Sequence, residues 1–365
     1  LAIFMDASAN PVLDANRFDY NGHNGISISG TVTGNTVLGS LGPRRWSYRV
    51  EGNGFTVDQG GSLTLLAGST FRFASSGAIR VRSGTLRILG AAGSPVQLMP
   101  EKDDKRAGAW PEILLDDGAT DYDPATGQGS LIEHAEVLYG GAASGGAIHV
   151  RSSSQRIQSS LVYQSGGRGI TVTGADAKPQ LIGNQIVDQQ SEGRGVGIYV
   201  DNQAAPGLSF NILRGNVDGL RTDGGALPQV GPHNWFDFNR IYGLFNEDRN
   251  TCVEAGGNDW GDGAGPNDVS DRPDACGQGA NAGQGEEVSD GVRYLPFEGQ
   301  QVRPQILAPR CGVFSDAQPE IQGLAAPDSR VLVYDNYQLL GETRTPAGDA
   351  ELLPFSFRPG AALAA

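Results

Sequence analysis

Along most of this chain, apolar and polar residues alternate for three to five positions and then halt at a glycine or asparagine. Runs of that length suit half-buried strands; a helix needs ten or more residues of 3.6-residue periodicity, which never gather here. The middle of the chain repeats one phrase. Ala147-Ile148-His149-Val150, Gly169-Ile170-Thr171-Val172, Gly197-Ile198-Tyr199-Val200, Gly219-Leu220-Arg221-Thr222 and Gly243-Leu244-Phe245-Asn246 each set a small residue before an aliphatic one, followed by a variable residue that faces outward. The aliphatic positions recur at steps of 22, 28, 22 and 24 residues. Repeats of this size mark an architecture whose units bury their faces only against their neighbours. Strand-length units make it a β-solenoid.

A second phrase lies between the first: Asn184-Gln185-Ile186, Phe210-Asn211-Ile212 and Asn239-Arg240-Ile241. Asparagine once per period suits a coil corner where stacked side-chain amides hydrogen-bond along the axis. Upstream, Ser62–Leu65, Thr70–Phe73, Ala78–Val81 and Thr85–Ile88 alternate in the same way, and Asn16–Val37 reads as the closing coil of a preceding β-helical stretch. At about 23 residues per coil, residues 10 to 250 give about ten coils and a rod on the order of 50 Å long. From about residue 250 the character changes. Cys252–Asp290 is rich in loop-forming residues, and then Glu320–Gly323, Arg330–Tyr334 and Gln338–Thr343 read as strands of a second domain, with Asp335-Asn336 at a hairpin turn.

The phrases at 62–98, 109–119 and 130–141 resemble the β-helix repeat proteins of the pectin-lyase-like superfamily found on bacterial surfaces. The closing phrases at 256–271 and 292–297 look like the exit segment of the same proteins, and residues 319–357 are similar to bacterial immunoglobulin-like repeats. The resemblance implies an all-β chain: a right-handed parallel β-helix over 1–250, a loop-rich exit or capping segment over 251–302, and a partial immunoglobulin-like β-sandwich over 303–365. It also implies export. It says little about activity, because one such fold hosts lyases, hydrolases, adhesins and structural proteins alike.

Composition narrows the choices. Glycine supplies 54 of 365 residues, roughly double the usual share, and has no three-residue period, so it marks many turns and excludes collagen. The net charge of −14 makes nucleic acid a poor partner, since binding it needs clustered cations. No apolar run is long enough to span a bilayer. Of the three cysteines, Cys252 and Cys276 flank the exit phrase, and a disulfide between them would close a loop of about 25 residues, worth about 3 kcal/mol. The alternative is two free thiols in a reducing compartment. Cys311 is left over.

Candidate chemistry is sparse. A hydrolase would pair aspartates as acid and base, and Asp116, Asp117, Asp121 and Asp123 are the densest set. A merely acidic loop between coils explains them as well. A lyase would use calcium and a basic residue; Arg303 and Arg310 lie in the linker beyond the coils. Asp121 and Asp123 are the candidate ligands for a structural calcium, although their spacing fits no standard loop. The histidines (His23, His134, His149, His233) lack zinc spacing, and Trp46, Trp110, Trp235 and Trp260 suit plugs of the coil stack better than a sugar platform. No residue is therefore assigned a catalytic role, and no cofactor is expected beyond structural calcium.

The chain starts as though in mid-stack and stops short of a full sandwich. It is expected to belong to a longer protein, or to have an open end completed by a neighbour's strand, with Leu1–Met5 as donor. The expected function is a non-catalytic, secreted or cell-surface structural or adhesive protein. Its expected partners are copies of itself, neighbouring domains of a longer chain, or surface glycans. The rival is a secreted polysaccharide lyase or glycoside hydrolase.

Overall fold

The computed structural model describes residues 3–9, 18, 20–21, 24–42, 46–102, 105–142, 145–189, 195–269, 275–277, 279–298, 305–308, 318–325, 330–335, 338–346 and 353–360. All regular structure among these residues is β, most of it in a parallel solenoid of about eleven turns. Each coil passes through three short strands. In one coil these are Leu131–Glu133, Ala135–Leu138 and Ile148–Arg151; in the next they are Arg156–Gln158, Leu161–Tyr163 and Arg168–Thr173. Every strand of the second coil pairs in parallel with its counterpart in the first.

Because side chains alternate across a strand, stacking coils in register stacks like on like. Three inward columns result. On the first face Phe55, Ile79, Ile113, Ile148, Ile170, Ile198, Leu220, Leu244 and Val288 follow one another. On the second, Leu65, Ile88, Ile132, Ile157, Leu181, Leu208 and Val230 do so. The third runs from Ile26 through Tyr48, Phe71, Leu98, Val137, Val162, Ile186 and Leu213 to Phe236. The columns form one continuous core, each aliphatic member contributing about 1.5–3 kcal/mol of burial. The steps of 22, 28, 22 and 24 residues are thus a true register: the residues that the sequence aligned are the ones that pair.

The corners are tighter than the strands. One residue at each adopts a left-handed conformation, and many are not glycine: His134, Ser159, Phe210 and His233 at one corner, Tyr139, Gln164, Asp188 and Phe238 at the next. A non-glycine residue there costs about 1–2 kcal/mol. From Asn184 and Gln189 onward, the residue that follows the turn points inward and repays the strain with hydrogen bonds along the axis. After the first corner the Oδ1 of Asn184, Asn211, Asn234 and Asn258 each accepts from the backbone N–H of Ser160, Asn184, Asn211 and Asn234 in turn, at 2.9–3.1 Å. After the second, Gln189, Asn216 and Asn239 receive the N–H of Ser165, Gln189 and Asn216 in the same way. The single asparagine corner expected from sequence is therefore two: Asn184 and Asn211 stack together, while Asn239 stacks on Asn216.

The small residue that opens the repeated phrase serves the second ladder. A Cβ on Gly197 would lie 2.5 Å from the Gly219 carbonyl oxygen of the next coil and 3.0 Å from Asn216 Nδ2, and one on Gly219 2.6 Å from the Gly243 carbonyl oxygen and 3.1 Å from Asn239 Nδ2. Glycine lets the amides approach.

Coiling continues into the loop-rich segment. Val253, Ala255, Trp260, Val288, Val292 and Tyr294 join the same core, and Trp260 stacks on Phe236 with ring centroids 4.5 Å apart and 9° between planes. Cys252 and Cys276 are disulfide-bonded, with Cα atoms 5.0 Å apart. Ile3–Asp6, which takes in Ile3–Met5 of the expected donor segment Leu1–Met5, pairs in parallel with Ile26–Ser29 of its own chain. Beyond the solenoid, Gln305–Ala308, Ile321–Ala325 and Leu353–Phe357 form an antiparallel sheet, and Arg330–Asp335 pairs with Gln338–Arg344 as a hairpin. Ala325, Val331 and Phe355 make their core. Leu1, Ala2, His23, Arg303, Arg310, Cys311 and Asn336 lie outside the described residues.

Candidate functional site

Stacking also aligns the outward residues of the first face, where His149, Thr171, Tyr199, Arg221 and Phe245 occupy successive coils. Chemistry concentrates toward the C-terminal end of this row. The Arg168 guanidinium covers the Tyr199 ring, 3.6 Å from its centroid, and the Tyr199 hydroxyl donates to Asp223 Oδ2 at 3.3 Å. Arg221 lies over Phe245, 4.9 Å from the ring centroid. It donates to Asp218 Oδ2 at 3.1 Å and to Glu247. Tyr242 and Phe245 pack against each other at 4.7 Å.

Past Phe245 the surface sinks into a groove of about 590 Å³. Tyr242, Phe245 and Glu247 form one wall, the Arg249 turn closes one side, and Glu287 and Asp290 rise from the adjacent coil. The coils meet here because Leu244 and Val288 are register partners. Arg249 Nε stands 3.9 Å from Asp290, its side chain 80% exposed and free to swing toward a ligand. Burial pushes the Tyr242 phenol above its ordinary value, helped by the nearby Glu287 and Asp218 carboxylates. Burial likewise raises the Asp218 carboxyl, against the pull of Arg221.

Two aromatic rings, several carboxylates and two guanidiniums around a shallow groove can hold a polyhydroxylated ring. Carboxylates accept its hydroxyl protons, guanidiniums donate to its oxygens, and the aromatic faces cover its C–H surface. Acid–base chemistry is less well served. Glu247 is bound to Arg221, Glu287 hydrogen-bonds Tyr242, and the raised carboxyl of Asp218 is only 3% exposed beneath Arg221. A general acid must reach the proton it moves. A larger concavity of about 760 Å³ lies at the first corner, between Ala91, Pro95, His134, Glu136, Leu161 and Phe210. Its lining carries few charged groups, so the smaller groove holds the denser chemistry.

The aspartates singled out in the sequence are not brought together. Asp116 is clamped by Arg151 of the next coil, through Nε at 2.7 Å and a terminal nitrogen at 2.6 Å. That hydrogen bond holds its carboxyl below the usual range, with burial opposing. Asp117 is exposed beside it. Asp121 Oδ1 accepts the Ser154 N–H at 2.6 Å. Asp123 closes its own turn, accepting from the Thr126 hydroxyl and the Ala125 N–H, both at 2.8 Å. Among the described residues no three His, Cys, Asp or Glu side chains gather as a metal site. His134 and His233 sit at corners, and His233 stacks on Phe210. His149 faces Glu112, 3.7 Å away. Trp110 and Trp260 are fully buried, while Trp46 and Trp235 are half-buried.

Sequence reasoning missed the groove residues. Arg221 and Phe245 were readable as outward positions of the repeated phrase; Glu287 and Asp290 carried no signal. No protein-family model and no curated protein matches the chain in the comparisons made.

Proposed function

We propose that this chain is a non-catalytic extracellular scaffold or adhesive protein that holds surface glycan in the groove beside Arg221, Tyr242 and Arg249. The groove is the observation that carries the reading. Two further features support it. A disulfide between Cys252 and Cys276 suits an oxidising compartment. The solenoid supplies a rigid rod that sets its surface chemistry at fixed spacing. In this reading the coils belong with the pectin-lyase-like surface proteins, the C-terminal sheets are part of an immunoglobulin-like sandwich, and copies of the chain associate at the cell surface.

A secreted polysaccharide lyase or hydrolase is the second reading, favoured by the carboxylates gathered around Arg221. It needs a carboxyl free to exchange protons with substrate: Glu247 is held by Arg221 and Glu287 by Tyr242, which leaves Asp290, 3.9 Å from the exposed Arg249, as the acid that would have to serve.

The test is retention on an array of neutral, amino and acidic oligosaccharides, with Tyr242→Ala and Arg249→Ala beside the wild type. Arg249 is exposed, so its variant's unfolding curve should hardly move; Tyr242 is half-buried, so its variant is assayed under conditions where unfolding shows it still folded. Affinity should fall about tenfold for each, the equivalent of one lost contact of about 1.4 kcal/mol. Equal retention by all three proteins would remove the groove from the account.

A further inference from the structure

The second ladder ends on a residue of a different kind. Gln189, Asn216 and Asn239 each turn their amide nitrogen to a carbonyl of the preceding coil, that of Val162, Ile186 and Leu213, at 2.9–3.1 Å. The rung after Asn239 is Glu286. Its Oε1 accepts the Asn239 N–H at 3.0 Å, as an amide oxygen would. Its Oε2 takes the place of the amide nitrogen, is buried, and has no hydrogen-bond partner. The carbonyls along the ladder belong to register partners, and the next partner is Phe236. Continued by one rung, the same pattern would set Oε2 against the Phe236 carbonyl. A carboxylate there sets oxygen against oxygen; a carboxylic acid donates, like the amides beneath it.

Glu286 also belongs to the coil that completes the groove. Its N–H donates to the Trp260 carbonyl at 2.7 Å, and Glu287, Val288, Ser289 and Asp290 follow directly as one wall of the groove. We propose that Glu286 is a protonation latch: protonated, it fastens the strand Glu287–Val288 to the stack and keeps the groove formed; ionised, it loosens that wall. The groove half of this inference rests on the glycan-binding reading, whereas the latch itself does not.

The surroundings favour the protonated form. Burial pushes the Glu286 carboxyl up to about 7, with added repulsion from Asp237 and against the hydrogen bonds from Asn239 and from the Phe238 N–H, which favour the ionised form. Asp237 is itself 3.4 Å from Arg214 Nε, and Glu287, the next residue along, is engaged with Tyr242. A carboxyl raised in the folded state binds its proton more tightly than in the opened one. Its stabilisation is therefore full below the ordinary value of 4.5, declines as the pH rises, and is gone above about 7.

Hydrogen–deuterium exchange over residues 286–292, corrected for intrinsic exchange, tests the latch at pH 5 and pH 8 in the wild type and in Glu286→Gln. Wild-type protection should fall at least tenfold between the two pH values. The amide variant, a permanent donor, should keep its protection at both. Constant wild-type protection, or the same fall in Glu286→Gln, would overturn the latch. Glycan affinity measured beside it should weaken with pH in the wild type alone; an affinity that ignores the pH while protection falls overturns the coupling to the groove. If no glycan is retained at any pH, the glycan reading fails, and the exchange result still decides the latch.

Discussion

Replacing Asn211 by alanine is expected to destabilise the solenoid by roughly 3–5 kcal/mol, because one side chain serves three coils at once. Its Oδ1 accepts from the N–H of Asn184 at 3.0 Å and from Asn184 Nδ2 at 3.1 Å. Its Nδ2 donates to the Leu181 carbonyl at 2.8 Å and to Asn234 Oδ1 at 2.9 Å. Asn211 is completely buried, so water cannot replace these bonds. Alanine strands the Asn184 N–H and the Leu181 carbonyl, at about 1–3 kcal/mol each. It also removes the inward anchor that holds Phe210 in its left-handed conformation, φ 57°. Urea unfolding should show the loss. Coils interact only with their neighbours, so the variant should also show a broader transition as the two halves of the stack part company. Arg82→Ala, at an exposed outward position of another coil, is the control and should unfold like the wild type.

Trp260→Ala is expected to cost about 3–5 kcal/mol, the range for deleting a large aromatic from a packed core. Trp260 is fully buried and carries the aromatic end of the third column, stacked on Phe236. Its carbonyl receives the Glu286 N–H, so disorder in this coil spreads into the groove. The loss should therefore be graded along the rod, in peptide-resolved hydrogen exchange: deep over 253–294, shallow by the coil of Ile148–Arg151. Trp260→Phe keeps a stacked ring and should recover most of the stability. A uniform loss along the whole chain would contradict nearest-neighbour coupling.

Those two side chains show what the sequence could and could not convey. Columns such as Ile148, Ile170, Ile198, Leu220 and Leu244 were legible because each coil must offer an aliphatic residue at the same phase, and the phase repeats whatever the loop between does. The ladders were half legible. Asn211-Ile212 and Asn239-Arg240-Ile241 read alike, yet Asn211 and Asn239 follow two different left-handed turns, at Phe210 and Phe238. Nothing local separates two corners that use the same chemistry five residues apart. The groove was hidden for another reason. Its walls join Phe245 and Glu247 to Glu287 and Asp290 across about forty residues of aperiodic chain, and only the pairing of Leu244 with Val288 brings them together. Conversely, Asp116, Asp117, Asp121 and Asp123 are close in sequence, but the chain turns between coils there and gives each a different neighbour. Density along the chain is not convergence in space.

The central claim is that the groove binds glycan and leaves it whole. Mass spectrometry of each retained oligosaccharide, before and after prolonged incubation with the intact protein, tests it most directly. Recovery of every bound glycan at its original mass and length, with binding lost in Arg249→Ala, is the outcome expected from paired carboxylates and an available guanidinium. Shortened or unsaturated fragments, made by the wild type and not by the groove variant, would contradict it and make the chain an enzyme of the same fold.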